Sequence, residues 1–395
     1  MQKLLHTYRL SVLVAGVAIS SGGMLHADEQ PVPATPMPGV EVKGSETLSW
    51  DSNPLMLANG AKSLFGSTTS PVLILHGDTP VVHFSSDSLV SENIFNLSDF
   101  NSTDFHENLK LNKQLQEWGA AIQGKFDYDT TRTSEITTYN LNLPYVRHTG
   151  FSVAPDISYN FTTIDKLILA GSFARSTYNN AFVDYDIFAL NPSYEHNFDP
   201  MSKGVFTLQA QRYQTIGAEQ SKVDSIGPTI GWVSILTPRL TAKADAGVQK
   251  SMQNATATSP SSSAWNYIFD ADLSFKGQQD TADLLASRSQ YPFGNGTETL
   301  LTAFSLSDVH ALNPSIALNF SGNYQFAKQP PGATGVNLDA EFGGIAGLIY
   351  HAFEHWDMTA HYQYKNETLT GISGMIQDHT ILLGLTYHPF ASLER

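Results

Sequence analysis

From about residue 116 onward, apolar and polar side chains alternate with a period of two over stretches of about ten to fifteen residues. Successive side chains of a strand point to opposite faces, so each stretch predicts a strand with one oily and one wet face. Trp265, Tyr267, Phe269, Ala271, Leu273 and Phe275 share one face, and Asn266, Asp270, Asp272, Ser274 and Lys276 share the other. Ile316 to Phe326, Trp356 to Tyr364, Leu240 to Val248 and Phe151 to Phe161 repeat the pattern. A soluble sandwich alternates too, so three further features carry the argument. The stretches reach the roughly 9–11 residues a membrane strand needs, where soluble strands average about 5–6. Their connections alternate short (near 163–165, 199–204, 237–239, 277–280, 313–314 and 353–355) and long (near 129–147, 179–182, 218–222, 253–263, 294–296, 328–337 and 368–376). Aromatic side chains gather at strand ends, as an interfacial girdle requires: Tyr159, Phe161, Tyr194, Trp232, Trp265, Phe275, Tyr350, Trp356 and Tyr387.

The expected fold class is therefore all-β: an antiparallel up-and-down transmembrane barrel of about fourteen strands, starting near Trp118 and closing near Phe390, with an irregular N-terminal segment. The chain divides into a signal peptide (1–27), a Pro-rich periplasmic segment (28–113) and the barrel (114–395). Lys3 and Arg9 precede the short apolar run from Leu10 to Ile19, and Leu25-His26-Ala27 supplies a cleavage site. Pro31, Pro33, Pro36 and Pro38 make the next stretch extended. Val72 to Leu75 and Val81 to Phe84, flanking Gly77-Asp78-Thr79-Pro80, suggest a small hairpin or plug. No run of about 18 apolar residues marks a transmembrane helix. There is no cysteine, so packing or a closed sheet must hold the secreted chain together. A net charge of −15, from 22 basic and 37 acidic residues, argues against nucleic acid as a partner.

The wet face carries Lys125, Asp127, Asp156, Glu195, Lys243, Asp245, Asp270, Asp272, Lys276, Asp357 and Lys365. So many charges need water or partners, which favours a hydrated lumen; the alternative is a plugged lumen whose charges neutralise one another. Acids outnumber lysines in this set, and the expected consequence is a weak preference for cations. Pro155, Pro192 and Pro228 fall on lipid-facing positions, where each removes a ladder donor and marks a candidate bulge. The thirteen histidines are scattered. His351 and His355 have HxxxH spacing, which joins two rings only on a helix, and here it spans a strand end and a turn. No nucleophile elbow or phosphate-binding glycine loop occurs. No enzyme activity, cofactor, metal site or catalytic residue is expected.

Several runs resemble a family of outer-membrane β-barrel porins associated with exopolysaccharide and PEP-CTERM-type protein-sorting loci. They are Asp127-Tyr128-Asp129-Thr130-Thr131, Thr133-Ser134-Glu135, Ile157 to Phe161, Val183-Asp184-Tyr185-Asp186, Asp224-Ser225-Ile226-Gly227, and Leu284 to Ser289 ahead of Gly294-Asn295-Gly296. The resemblance covers most of residues 116–390 and implies export or diffusion across the bacterial outer membrane. The expected partners are outer-membrane lipid, the barrel-assembly machinery and polysaccharide-export components. Alternative readings are a structural or adhesive surface protein acting through its outer loops, and a barrel-embedded hydrolase. The loop 254–263, rich in Ser, Thr and Ala, carries no ligand motif. Deleting it should leave the barrel folded, read as unchanged heat-modifiable migration on gels.

Overall fold

The computed structural model describes residues 39–131, 146–179, 182–217, 220–255, 261–293, 297–328, 338–369 and 374–389. The proposed signal peptide lies outside them. The elements in chain order are β1 (Gly39–Asp51), β2 (Leu64–Asp78), β3 (Val82–Phe95), a single 3-10 turn (Ser98–Phe100), β4 (Ser102–Gln114), β5 (Trp118–Thr130), β6 (Arg147–Asn160), β7 (Asp165–Tyr178), β8 (Tyr185–Asp199) and β9 (Ser202–Thr215). There follow β10 (Lys222–Thr237), β11 (Leu240–Gln253), β12 (Ser262–Lys276), β13 (Asp280–Phe293), β14 (Thr297–Asn313), β15 (Ile316–Lys328), β16 (Leu338–Phe353), β17 (Trp356–Leu369) and β18 (Ile376–Tyr387). Each strand pairs antiparallel with the next, and β18 pairs with β1 through Leu48↔Leu383 and Trp50↔Ile381. The 18-stranded sheet thus closes on itself through β18 and β1. At about 4.8 Å per strand and a tilt of about 40°, closure gives a backbone tube about 35 Å across.

The strand count corrects the expected fourteen. The strands expected from Trp118 onward correspond to β5–β18, and residues 39–114, expected to be irregular and periplasmic, form β1–β4 of the wall. Their alternation is blurred on both faces. Glu46, Thr69, Ser86, Ser88, Glu92 and Glu107 interrupt the outward row, while Val72, Ile74 and Leu89 sit on the inward one. A hydropathy period of two cannot register there. The expected small hairpin is the β2–β3 turn, where the Val82 amide donates to Thr79 Oγ1 (2.8 Å). Pro155, Pro192 and Pro228 mark no bulge, since no register shift falls at any of them.

Connections 79–81, 115–117, 161–164, 200–201, 238–239, 277–279, 314–315 and 354–355 lie at one end, together with Gly39 and Tyr387. The opposite strand ends, from Asp51 and Leu64 on β1 and β2 to Leu369 and Ile376 on β17 and β18, lie at the other, and the stretches of sequence between them are mostly longer. Short turns face the periplasm in barrels of this kind, which orients the molecule. The outer wall is apolar and bare: Phe188 and Leu190 on β8, Phe206 on β9 and Ile230 on β10 all point away from the lumen, Ile230 with 71 % of its surface exposed. Aromatic rings pair along the short-turn end, Trp118 with Tyr159 (centroids 4.5 Å apart), Phe161 with Tyr194 (6.2 Å), Phe198 with Trp232 (5.2 Å) and Trp356 with Tyr387 (4.7 Å). Trp265 stands instead near the opposite end, where β12 begins. A closed barrel with an oily belt and an aromatic rim belongs in a bilayer, and this architecture places the protein in the bacterial outer membrane. A charge placed on that belt should be expensive: Leu190→Arg, at mid-strand, should lower stability by about 2–4 kcal/mol, read from urea unfolding in lipid vesicles.

Candidate functional site: the charged lumen and its inward hairpin

The β13–β14 hairpin lies inside this wide tube. The pairing of β12 with β13 runs from Lys276↔Thr281 to Phe269↔Arg288 and stops there. β11 and β12 stay paired up to Gln253↔Ser262, and β13 and β14 up to Phe293↔Thr297. The long-loop end of the hairpin has therefore left the wall. It folds inward: Gln290 hydrogen bonds to Ser225 of β10 and Ser251 of β11, a cross-strand pair, and Gln211 Nε2 on β9 donates to Glu298 Oε1 (2.8 Å). Its other face packs Tyr291 and Leu301 against Met56, Leu338, Leu369 and Ile376. One side of the hairpin thus rests on β9–β11 and the other on β16–β18 and the first loop, so it crosses the extracellular half of the lumen.

Three local features let this happen. Arg288 fills the fork where β13 parts from β12, with its guanidinium 4.2 Å from the Tyr267 ring centroid and Nη1 donating to Thr302 Oγ1 (2.7 Å). Gly227 and Gly247, on the inward rows of β10 and β11, let the two backbones approach closely: a Cβ on Gly227 would collide with the Val248 carbonyl. Asn53 ties the first loop down. Its amide donates to Asp378 Oδ1 (2.8 Å), its Nδ2 donates to the Leu57 and Gln377 carbonyls, and its Oδ1 accepts from the Leu57 amide. That turn holds Met56 at φ 48°, left-handed for a non-glycine residue, and seats its side chain against the hairpin.

Alternation and register put Lys125, Asp127, Asp156, Glu195, Lys243, Asp245, Asp270, Asp272, Lys276, Asp357 and Lys365 on inward rows, scattered round the wall rather than in one cluster. Asp127 joins Lys125 Nζ (2.9 Å) and His106 Nδ1 (2.8 Å). Asp156 lies opposite Ala121 and Ala170 on the neighbouring strands. Glu195 meets Lys203 (2.9 Å). Asp245 and Asp270 stand opposite each other across β11 and β12, with Lys243 3.6 Å from Asp270, and Asp272 accepts from Ser274. Asp357 accepts His351 Nδ1 (2.6 Å) and His388 Nε2 (3.0 Å) at the periplasmic rim. His355 stacks edge-on against Tyr387 and shares no partner with His351. Among the described residues no group of His, Cys, Asp and Glu could hold a metal ion.

Lys365, in the long-loop half of β17, is bound to Glu367 (2.7 Å) and Glu341 (3.2 Å). Glu341 escapes sequence reasoning because β16 begins with a register shift that breaks the alternation at Leu338/Ala340, whereas Glu367 continues the inward row of Lys365 on β17 and is legible there. Further inward carboxylates, Glu41, Asp87, Asp283 and Asp378 among them, extend the acidic lining, whereas Arg147, Arg175, Arg212 and Arg288 all start from outward rows. The lumen is consequently acidic, with lysine its cation. Removing Lys365 would leave two carboxylates facing each other in a tight site. Lys365→Met should lower stability by about 3 kcal/mol, read from the unfolding midpoint in detergent.

The sequence matches no protein-family model and no curated protein. Solved structures of similar outline include Pseudomonas aeruginosa OccK2 (OpdF) in complex with glucuronate, 11 % identical over 89 % of this chain and 98 % of that one, with a TM-score of 0.47. OccK3 (OpdO) of the same organism is 9 % identical over 89 % and 96 %, also at 0.47. The FrpB iron transporter from Neisseria meningitidis is 6 % identical over 88 % and 81 %, at 0.42. Likeness at this level reaches neither solute nor mechanism.

Proposed function

We propose that the protein is a passive outer-membrane pore for small, preferentially cationic solutes. The observation that carries this reading is the inward hairpin set in an acidic lumen. The wall alone would leave a wide hydrated tube; the hairpin divides its extracellular half, and a solute must pass between the hairpin and the charged wall. Carboxylates on that wall raise the local concentration of cations and lower that of anions. Lys365 and Lys203 are each held by glutamate and leave the acidic balance in place.

Export of an exopolymer is the second reading, favoured by the width of the barrel. A polymer chain would have to displace the hairpin from Ser225, Ser251 and Gln211 on one side and from Met56 on the other, so small solutes fit the geometry better. An adhesive or structural role would leave the lumen without a purpose, and a hydrolase would need a nucleophile and base brought together.

Planar-bilayer recording tests the proposal. The wild-type protein should conduct with potassium favoured over chloride, and replacing residues 290–299 by a two-residue turn should raise single-channel conductance several-fold. Absence of conductance in a correctly folded barrel, or firm chloride selectivity, would sink it.

A further inference from the structure

The outer wall of β1–β4 is unlike a lipid-facing surface. Glu46, Thr69, Glu92 and Thr103 lie in one register row across the four strands, all pointing outward. Thr69 Oγ1 donates to Glu46 (2.5 Å) and Thr103 Oγ1 to Glu92 (2.6 Å). Glu107 faces outward beside Phe126, with the hydroxyls of Ser86 (2.6 Å) and Ser88 donating to it. Glu46 and Glu107 sit near the middle of their strands, at the depth where acyl chains are densest. Nearer the long-loop end of other strands, Arg175 pairs outward with Asp186 and Arg212 with Asp224.

Acyl chains offer a carboxyl group nothing to bond to, in either protonation state. Each neighbouring hydroxyl has only one hydrogen and has already given it. Glu46 and Glu107 therefore need a covering surface with polar atoms at the same depth. We propose that β1–β4 is the contact face between two copies of this chain. A neutral carboxyl both donates and accepts, so a symmetry-related copy of this face is complementary to it, carboxyls meeting carboxyls and hydroxyl oxygens across an isologous contact. The small outward side chains at Gly44, Ser67, Thr69, Ser86 and Ser88 let two walls come close. The size fits as well. Four tilted strands over a belt of about 25 Å present about 600 Å² per copy, or about 1,200 Å² in total, the lower bound for a specific interface.

The chain has no cysteine, so single-cysteine variants of the full-length protein report cleanly. Thr69→Cys in the native membrane, treated with a short bis-maleimide, should give an adduct of twice the chain mass. Ile230→Cys, on the bare belt of β10, should not. Native mass spectrometry of the wild-type protein in mild detergent should show chain multiples. The triple variant Glu46→Leu, Glu92→Leu, Glu107→Leu should run as a single chain while keeping its heat-modifiable migration and its conductance. A wild-type protein of single-chain mass overturns the proposal, as do an adduct of any other mass, equal cross-linking at Ile230→Cys, or a triple variant that stays multimeric. Loss of conductance alone bears on the pore and not on this face.

Discussion

Every other feature of the molecule depends on the closure of β18 onto β1. In a bilayer a backbone amide that finds no carbonyl has no water to turn to, so a sheet can enter only if its last strand meets its first. Eight matched pairs from Gly44↔Tyr387 to Asp51↔Thr380 do this. Closure fixes the even strand number, brings both ends of the barrel to the short-turn side, and makes inside and outside two separate chemical environments. Only after that can one face of each strand be oily and the other charged.

The inward hairpin is a local exception that the closed wall can tolerate. β13 and β14 give up pairing with β12 beyond Arg288 and recover partners within the lumen, through Gln290 and Glu298 on one face and an apolar cluster on the other. Arg288 closes the fork it leaves. The departure sets the hairpin across a broad tube, while β11 and β12 stay paired up to Gln253↔Ser262.

The polar outward row of β1–β4 links two observations. It helps to blur the alternation of those four strands in the sequence, and it is why their outer face calls for protein rather than lipid. A stripe that is apolar on one side advertises itself by hydropathy; a stripe carrying Glu46, Glu92 and Glu107 does not, although its backbone pairs as regularly as any other.

Alternation, taken with strand length, the alternation of short turns with longer loops and aromatic side chains at strand ends, pointed to the membrane barrel and its strands from Trp118 to the last one, and alternation placed the set from Lys125 to Lys365 on the wet face. These are readable because the side-chain period of a strand is local and the lipid acts on each strand separately. Tertiary structure alone decided the pairing of β18 with β1, the membership of β1–β4, the partnership of Lys365 with Glu341 and Glu367, and the turn of the hairpin into the lumen. Each of those depends on residues distant in the chain meeting across the sheet or across the lumen, such as Gln211 with Glu298 and Met56 with Leu301, and no local pattern records such a meeting.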